Sequence, residues 1–250
     1  MPNIQKPSFM KTQRFFLLLL CISMFGIKNY AQTEKFNQTD ANGKRHGKWM
    51  KKFEGTNQKR YEGTFEHGKE VGVFKFYKEG NYNQPVATKE YNTKNDSILV
   101  TYYTNNEAIV SQGNMVNKKR EGTWRYYHKG GEKLMMIENY KNDKLHGNKK
   151  TYLPDGMLAQ EENYKNGKLD GTEIVYLKDK QILQYYTYKN GKLNGLTKIY
   201  DKSGNILSEG NYKEDEKDGI WKFYDDGKVV QTIKYPLPKT PLKVKKKQTD

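Results

Sequence analysis

The sequence predicts an all-β fold, an elongated, open and twisted antiparallel sheet of β-hairpins with about eight units of about 24 residues. Three observations predict it: glycines recur at a fixed period, aromatic residues stand at fixed distances from these glycines, and two turn signals fall within each period. A period of roughly 20 to 50 residues is typical of repeat proteins, in which each unit buries its apolar face against its neighbours.

The first segment, residues 1–31, is predicted to be a secretory signal peptide. Lys11 and Arg14 precede an apolar run over residues 15–22. This run is shorter than the roughly 20 apolar residues that cross a membrane, so an uncleaved anchor is the less favoured alternative. Ala31 offers a small residue for cleavage. We therefore expect export, to the periplasm or the outer envelope.

The single cysteine, Cys21, lies inside that apolar run. It follows Leu20, which is too large for a lipoprotein processing site, so we do not expect a lipid anchor. Met10 is an alternative start, because the next four residues already form a basic N-terminal region. A processed chain would have no cysteine, which excludes disulfides, thiolate metal sites and a cysteine nucleophile.

The charge of the chain is strongly basic, with 45 Lys and Arg against 29 Asp and Glu and a net charge of +16. Residues 1–31 contribute four of these charges and the tail 236–250 another four, which leaves about +8 in the body. Such a field favours weak attraction to anionic lipid, glycan or acidic protein and names none of them. Aromatic residues make up 13% of the chain, a share that argues against disorder.

Seven glycines define the repeat, and we call them the column glycines: Gly47, Gly72, Gly122, Gly147, Gly171, Gly195 and Gly219. They are 25, 50, 25, 24, 24 and 24 residues apart, and the step of 50 contains a degenerate unit with Ile98 in place of glycine. A column glycine is expected to hold a positive φ or a bulge, or to leave room for an aromatic ring.

Two further columns keep the same register. Seven positions before the glycine stands a large apolar residue in nearly every unit: Phe65, Tyr91, Met115, Tyr140, Tyr164, Tyr188 and Tyr212. Five positions after it stands a tyrosine, and we call this set the tyrosine row: Tyr77, Tyr103, Tyr127, Tyr152, Tyr176, Tyr200 and Tyr224. The chain therefore divides into the signal peptide, a short lead at 32–41, a repeat domain at 42–235 and a flexible Pro/Lys-rich tail at 236–250.

Turn signals separate the strands. Asn166-Gly167 and Asn190-Gly191 are typical of type I′ hairpin turns, and glycine-containing turns such as Pro154-Asp155-Gly156 follow half a period later. Two turns in 24 residues leave two strands of about seven to ten residues each. A helix is excluded because glycine interrupts every window and no apolar stripe has helical spacing.

Side-chain alternation predicts two different faces. The strand at 219–224 places Trp221 and Phe223 on one face and Lys222 on the other. We call the face that carries Trp221 the aromatic face, and the tyrosine row should line the opposite face. The aromatic face is either the thin core of a curled sheet or a partly open groove, and its candidate interaction residues are Trp49, Phe74, Trp124, Tyr126, Trp221 and Phe223.

Residues 61–72, Tyr-Glu-Gly-Thr-Phe-Glu-His-Gly-Lys-Glu-Val-Gly, resemble the MORN repeat, whose units follow Tyr-x-Gly-x-Trp/Phe-x-x-Gly-Lys-x-x-Gly. Other units are similar to the MORN-variant form, with tryptophan two positions after the column glycine at Trp49, Trp124 and Trp221. The resemblance covers about four fifths of the chain. It implies a grooved sheet of hairpins without catalytic residues, used for protein scaffolding, self-association or contact with membrane lipids, and an antitoxin label is frequent among bacterial members.

No residues indicate catalysis, so we expect neither an enzyme nor a cofactor, and no metal site. His46 and His146 share one position before a column glycine, which indicates a solvated turn. The adjacent Glu161 and Glu162 point to opposite sides of a strand. The sequence also lacks a phosphate-binding glycine loop before a helix and a serine elbow.

We therefore predict a non-catalytic, exported interaction or scaffold module of the cell envelope, which binds a protein partner through a groove or an edge strand. A membrane-surface or glycan binder is the first alternative, motivated by the basic tail and the aromatic stripe. An antitoxin-like or immunity protein is the second and rests only on the resemblance. Export disfavours nucleic acid as a partner, and the sequence leaves the oligomeric state open.

Overall fold

A computed structural model describes residues 35–80 and 84–238. The predicted signal peptide lies outside this range, and so does the tail from Lys239 onward. The described residues form strands and one 3-10 turn at Lys178–Lys180. The all-β prediction is therefore confirmed.

Nineteen strands follow one another along the described chain. They are β1 (Gln38–Thr39), β2 (Arg45–Lys52), β3 (Lys59–Glu66), β4 (Lys69–Tyr77), β5 (Pro85–Tyr91), β6 (Ser97–Tyr103), β7 (Ile109–Val116), β8 (Lys119–Tyr127), β9 (Leu134–Lys141), β10 (Lys144–Leu145), β11 (Gly147–Tyr152), β12 (Leu158–Lys165), β13 (Lys168–Tyr176), β14 (Ile182–Lys189), β15 (Lys192–Leu193), β16 (Gly195–Tyr200), β17 (Ile206–Lys213), β18 (Glu216–Asp225) and β19 (Lys228–Tyr235).

The strands form one open antiparallel meander. Each long strand pairs with the strand before it and the strand after it, from β2 with β3 to β18 with β19. The short strands β10 and β15 belong to broken strands, because β10 and β11 both pair with β9, and β15 and β16 both pair with β14. Neighbouring units therefore stack edge to edge, as a repeat of hairpins requires.

The predicted type I′ turns have the backbone that this turn needs. Both central residues have positive φ in Asn166-Gly167, at 53° and 85°, and in Asn190-Gly191, at 54° and 88°. Type I′ turns match the right-handed twist of the flanking strands, so these two-residue loops fix the pairing register. The degenerate third unit instead has five residues, 92–96, between β5 and β6.

The column glycines and the large apolar residues that stand seven positions before them in each unit face one another across neighbouring strands. Each column glycine lies opposite the aromatic residue that belongs to the next unit, as in Gly122 with Tyr140 and Gly195 with Tyr212. In the degenerate unit, Ile98 faces Met115. The columns found in the sequence are therefore the cross-strand pairs of the sheet.

Bulges recur at two places in each unit. The register shifts immediately before every member of the tyrosine row. A second shift occurs at several column glycines. At Gly72, for example, the single residue Gly63 of β3 faces the three residues 72–74 of β4. The column glycines have φ between +65° and +116°, which accounts for glycine at this position. Bulges increase the local twist of the strands. Because they recur at fixed positions of the repeat, the sequence determines where the sheet curves.

The core lies on the aromatic face. Phe65, Phe74, Val100, Trp124 and Trp221 are buried there. Phe65 and Phe74 meet edge to face with ring centroids 5.1 Å apart, a favourable geometry for aromatic pairs. The thin core is therefore built from single large side chains contributed by successive units.

Three glycines outside the column hold the large rings of this core. A Cβ atom on Gly63, Gly113 or Gly210 would lie within 2.3–2.5 Å of the ring of Phe74, Trp124 or Trp221. These three glycines, and not the column glycines, therefore leave room for the large aromatic rings. By contrast, a Cβ on column glycine Gly122 would meet nothing within 4 Å.

Candidate interaction surfaces

The candidate residues of the aromatic face divide into two groups. Phe74, Trp124 and Trp221 are buried under neighbouring side chains. The indole Nε1 of Trp221 donates a hydrogen bond to the backbone oxygen of Asn211 at 2.9 Å. These three rings therefore belong to the core. The other three candidates, Trp49, Tyr126 and Phe223, are half-buried.

Cations lie over the rings at both ends of this face. The Arg45 guanidinium lies 3.9 Å from the centroid of Phe65, and the Lys217 Nζ lies 4.1 Å from that of Trp221. Arg120 lies 3.9 Å from the Tyr140 centroid. A cation over a ring face is attracted by the ring quadrupole, so these rings already have a partner within the chain.

The central part of the aromatic face is polar, which the sequence interpretation missed. Glu138 and Glu162 occupy the position that glycine holds elsewhere, and Lys149 and Glu173 replace the large ring. The Lys149 Nζ lies 2.8 Å from Glu162 Oε2. Gln160 donates a hydrogen bond to Glu173 at 2.7 Å. A network of ion pairs and hydrogen bonds therefore replaces aromatic packing in these units.

Tyrosines satisfy the buried carboxylates of this network. The hydroxyl of Tyr140 donates to Glu138, and that of Tyr164 donates to Glu162 at 2.7 Å. Burial, followed by these hydrogen bonds, raises the pKa of both tyrosines well above the ordinary value of 10.0. The neutral hydroxyl is therefore the form that the folded chain holds.

The tyrosine row lies on the face opposite the aromatic face, beside a series of charged residues. Tyr77 donates a hydrogen bond to Glu62, and Tyr224 donates to Glu209 at 2.8 Å. The hydrogen bond from Tyr224, reinforced by Lys198, lowers the pKa of Glu209 below its ordinary value. Tyr77 is buried, whereas the other six tyrosines of the row are half-buried.

A cleft interrupts the row between two of its members. It has a volume of about 650 Å³ and is lined by Lys150, Tyr152, Met157, Leu158, Tyr176 and Lys180, among others. The Lys150 Nζ lies 2.8 Å from Glu161 Oε1, so one lysine of the cleft is already paired. The cleft thus combines two aromatic rings, two aliphatic side chains and an exposed lysine head.

The histidines of the first unit hold the N-terminal edge of the sheet. His67 Nδ1 lies 2.7 Å from Asp40 Oδ2, and the rings of His46 and His67 are 4.8 Å apart. Across the described residues, no three His, Cys, Asp or Glu side chains are placed to hold a metal ion. In the same part of the chain, no helix has the length and apolar character to cross a membrane.

Together, the stacked hairpins, the thin aromatic core and the half-buried tyrosine row define a β-hairpin repeat protein. Two segments, residues 145–166 and 193–214, match the family model described as the MORN repeat variant. The predicted family is confirmed: the chain carries MORN repeat variants. No curated protein is detectably similar to it. Both matched segments begin at a leucine, Leu145 or Leu193, two residues before a column glycine of the central units.

Proposed function

We propose that the chain is a non-catalytic, exported module of the cell envelope that binds a protein partner along its tyrosine row. The observation that carries the proposal is the row itself, with six half-buried tyrosines at equivalent positions on one face of an open sheet. Tyrosine supplies a large and rigid contact area at a low cost in conformational entropy, and it is enriched in protein interfaces.

The spacing of the row suits an extended partner. Consecutive tyrosines of the row are two strands apart, which corresponds to about 10 Å across the sheet. From Tyr103 to Tyr224 the row therefore extends over five such steps, or about 50 Å. A partner that follows the row would meet the same chemistry at each step, an aromatic ring with a polar hydroxyl.

The cleft between Tyr152 and Tyr176 is the best place on the row for an anchoring side chain. Hot spots of interfaces are well-packed pockets into which one partner inserts a large side chain. Met157 and Leu158 supply the apolar walls, and Lys180 supplies a positive charge at the rim. A partner side chain with an apolar body and a neighbouring carboxylate fits this combination.

Export rests on the sequence of residues 1–31, with its basic start and short apolar run. A partner in the envelope follows from it. The sheet also supports binding over turnover, because the carboxylates of Glu138, Glu162, Glu173 and Glu209 are engaged by tyrosines, lysines or glutamine. General acid–base catalysis needs such a group held free at a reacting atom.

The test is in-cell photo-crosslinking with a photoreactive amino acid in place of Tyr152 or Tyr200. A photoreactive residue in place of Tyr102 is the matched control, because this exposed tyrosine lies on a strand of the same sheet but on the aromatic face, beside Trp124 and Tyr126. We expect one envelope protein to be captured reproducibly from the row and not from Tyr102.

The double variant Tyr152→Ala/Tyr176→Ala should weaken binding of the captured partner by about tenfold or more, as loss of a hot spot does. The variant Tyr102→Ala should leave binding unchanged. Equal capture from Tyr102, or retention on lipid vesicles or wall polysaccharide with no protein captured, would contradict the proposal.

A further inference from the structure

A cavity of about 330 Å³ opens on the aromatic face over strands β6, β7 and β8. Ser111 of β7 lines it and pairs with Tyr102 of β6 on one side and with Tyr126 of β8 on the other. Cross-strand partners point to the same face, and strands two apart are separated by about 10 Å. The two tyrosines therefore stand on either side of a small residue and leave a slot above it. We call this slot and its rim the Ser111 cavity.

The hydroxyl of Ser111 is buried without a partner. The residue is 7% exposed, and within residues 35–80 and 84–238 its hydroxyl has no hydrogen-bond partner. Buried polar groups are hydrogen-bonded in the great majority of cases, because an unpaired one costs free energy. Since Ser111 lines the cavity, a ligand that places a hydroxyl of its own in the slot would supply the missing hydrogen bond.

The walls of the Ser111 cavity are aromatic and apolar. Tyr102 is 42% exposed and Tyr126 is half-buried, so both rings present surface to a ligand. Trp124 and Met115 also line the cavity. Aromatic rings bind the apolar side of a ligand, and the volume is at the lower end of the range for ligand pockets. The cavity therefore suits one small ring with an apolar face.

The rim carries a charge pair that still has hydrogen-bonding capacity. Arg120 Nε donates to Asp143 Oδ1 at 3.0 Å, and its Nη1 donates to the Tyr140 hydroxyl at 2.6 Å. A guanidinium has five donors, so donors remain at the rim. In the described part of the chain, Asp143 Oδ2 accepts no hydrogen bond. The pair is neutral as a whole, and its two members suit hydroxyls that both donate and accept.

We propose that the Ser111 cavity binds one neutral pyranose ring of a glycan. The C–H face of the ring lies against Tyr102 or Tyr126, and its hydroxyls bond with Ser111, Asp143 and Arg120. A pyranose carries an apolar face and a rim of hydroxyls on one rigid unit, which is the combination that the cavity offers. An extended peptide fits less well, because β6, β7 and β8 are paired with one another and leave no main-chain groups for strand addition.

Another unit supplies a matched comparison. Ser208 lies two residues before Gly210, as Ser111 lies two residues before Gly113. Its cross-strand partners are Ile199 and Phe223 in place of two tyrosines. The same serine position therefore exists without the tyrosine pair, and a substitution there serves as a control.

The experiment is saturation-transfer-difference NMR on the purified full-length chain, with the methyl glycosides of glucose, galactose, mannose and N-acetylglucosamine as ligands. We expect a signal from at least one glycoside, strongest at the protons of one ring face, because that face contacts a tyrosine. Sorbitol is the control ligand and should give no signal, since this open-chain polyol carries the hydroxyls without a rigid apolar face.

Two variants test the cavity itself. Tyr102→Ala removes one aromatic wall, and Ser111→Val removes the hydroxyl and fills the slot. Each should weaken binding of the responding glycoside by about tenfold or more, as loss of a central contact does. Ser208→Val makes the same serine change outside the cavity and should leave binding unchanged. Because Tyr102 is exposed, Tyr102→Ala should keep the wild-type unfolding curve.

A wild-type chain that gives no signal with any of the four glycosides overturns the proposal. A signal that Tyr102→Ala and Ser111→Val leave unchanged also overturns it, and so does a response to sorbitol equal to that of the glycosides.

The Ser111 cavity is independent of the tyrosine row, which lies on the opposite face. Tyr102→Ala should weaken glycoside binding and retain capture of the protein partner, whereas Tyr152→Ala/Tyr176→Ala should have the reverse effect. Absence of glycoside binding with retained partner capture would contradict only the cavity, and the opposite result would contradict only binding along the row.

Discussion

Glycine has two separable roles in this repeat. The column glycines have positive φ and form bulges, so the backbone requires glycine there even where a Cβ would meet empty space, as at Gly219. Gly63, Gly113 and Gly210 instead leave room for a ring that lies flat on the neighbouring strand. The first role concerns backbone conformation and the second concerns packing.

The packing role predicts that Gly210→Ala destabilises the fold by about 1–3 kcal/mol, as overpacking of a core does. The new Cβ would lie 2.3 Å from Trp221 Cδ2. In a Trp221→Val background the same substitution should cost close to nothing, because the smaller side chain leaves the space open. Urea unfolding of the four chains of this cycle checks both statements. An equal penalty in both backgrounds would show that the ring is not the cause.

At the scale of the element, the units are of two kinds. In three units, the large ring on the aromatic face packs on a glycine eleven residues earlier, as in Gly113 and Trp124. The central units replace this pair with charged or polar residues such as Glu138 and Lys149. Tyrosine hydroxyls then hold the carboxylates. The same arrangement of strands therefore accommodates an aromatic interior in some units and a polar interior in others.

The central units predict a particular response to alkaline pH. Tyr140 and Tyr164 have folded-state pKa values raised above the ordinary 10.0 by burial and by their carboxylate partners. Between the unfolded and the folded pKa, the folded chain retains protons that the unfolded chain has lost. Their contribution to stability is therefore fully present below pH 10 and declines as the pH rises above it.

Denaturant unfolding at a series of pH values checks this expectation. Stability should fall above about pH 10, and the double variant Tyr140→Phe/Tyr164→Phe should show a shallower fall although it is less stable at neutral pH. Tyr102→Phe is the matched control and should keep the wild-type slope. A slope that is identical in all three chains would remove these hydroxyls from the explanation.

At the scale of the whole molecule, the period, the turns and the sheet could be predicted because local chemistry determines them. Asn190-Gly191 specifies a type I′ turn, and alternation then assigns side chains to faces. The polar interior could not be predicted, since the sequence does not show how deeply Glu162 is buried. One signal was available: glycine is missing eleven residues before Lys149, Glu173 and Thr197, where no large ring follows.

The candidate surfaces were predictable only in part. Alternation separates the aromatic face from the tyrosine row, but burial decides which face is accessible, and burial depends on contacts between neighbouring units. Phe74, Trp124 and Trp221 are core residues for this reason. Within residues 35–80 and 84–238, β19 pairs only with β18, and this free edge depends on pairing across the entire sheet, which no local pattern reports.

The central claim is that the glycine and tyrosine columns are cross-strand neighbours in stacked hairpins. Solution NMR tests it most directly, through short backbone proton distances between strands. The account predicts contacts between Gly122 and Tyr140, between Gly171 and Tyr188, and between Gly195 and Tyr212. Helical sequential contacts over these segments, or glycines that contact other residues in place of these tyrosines, would contradict it.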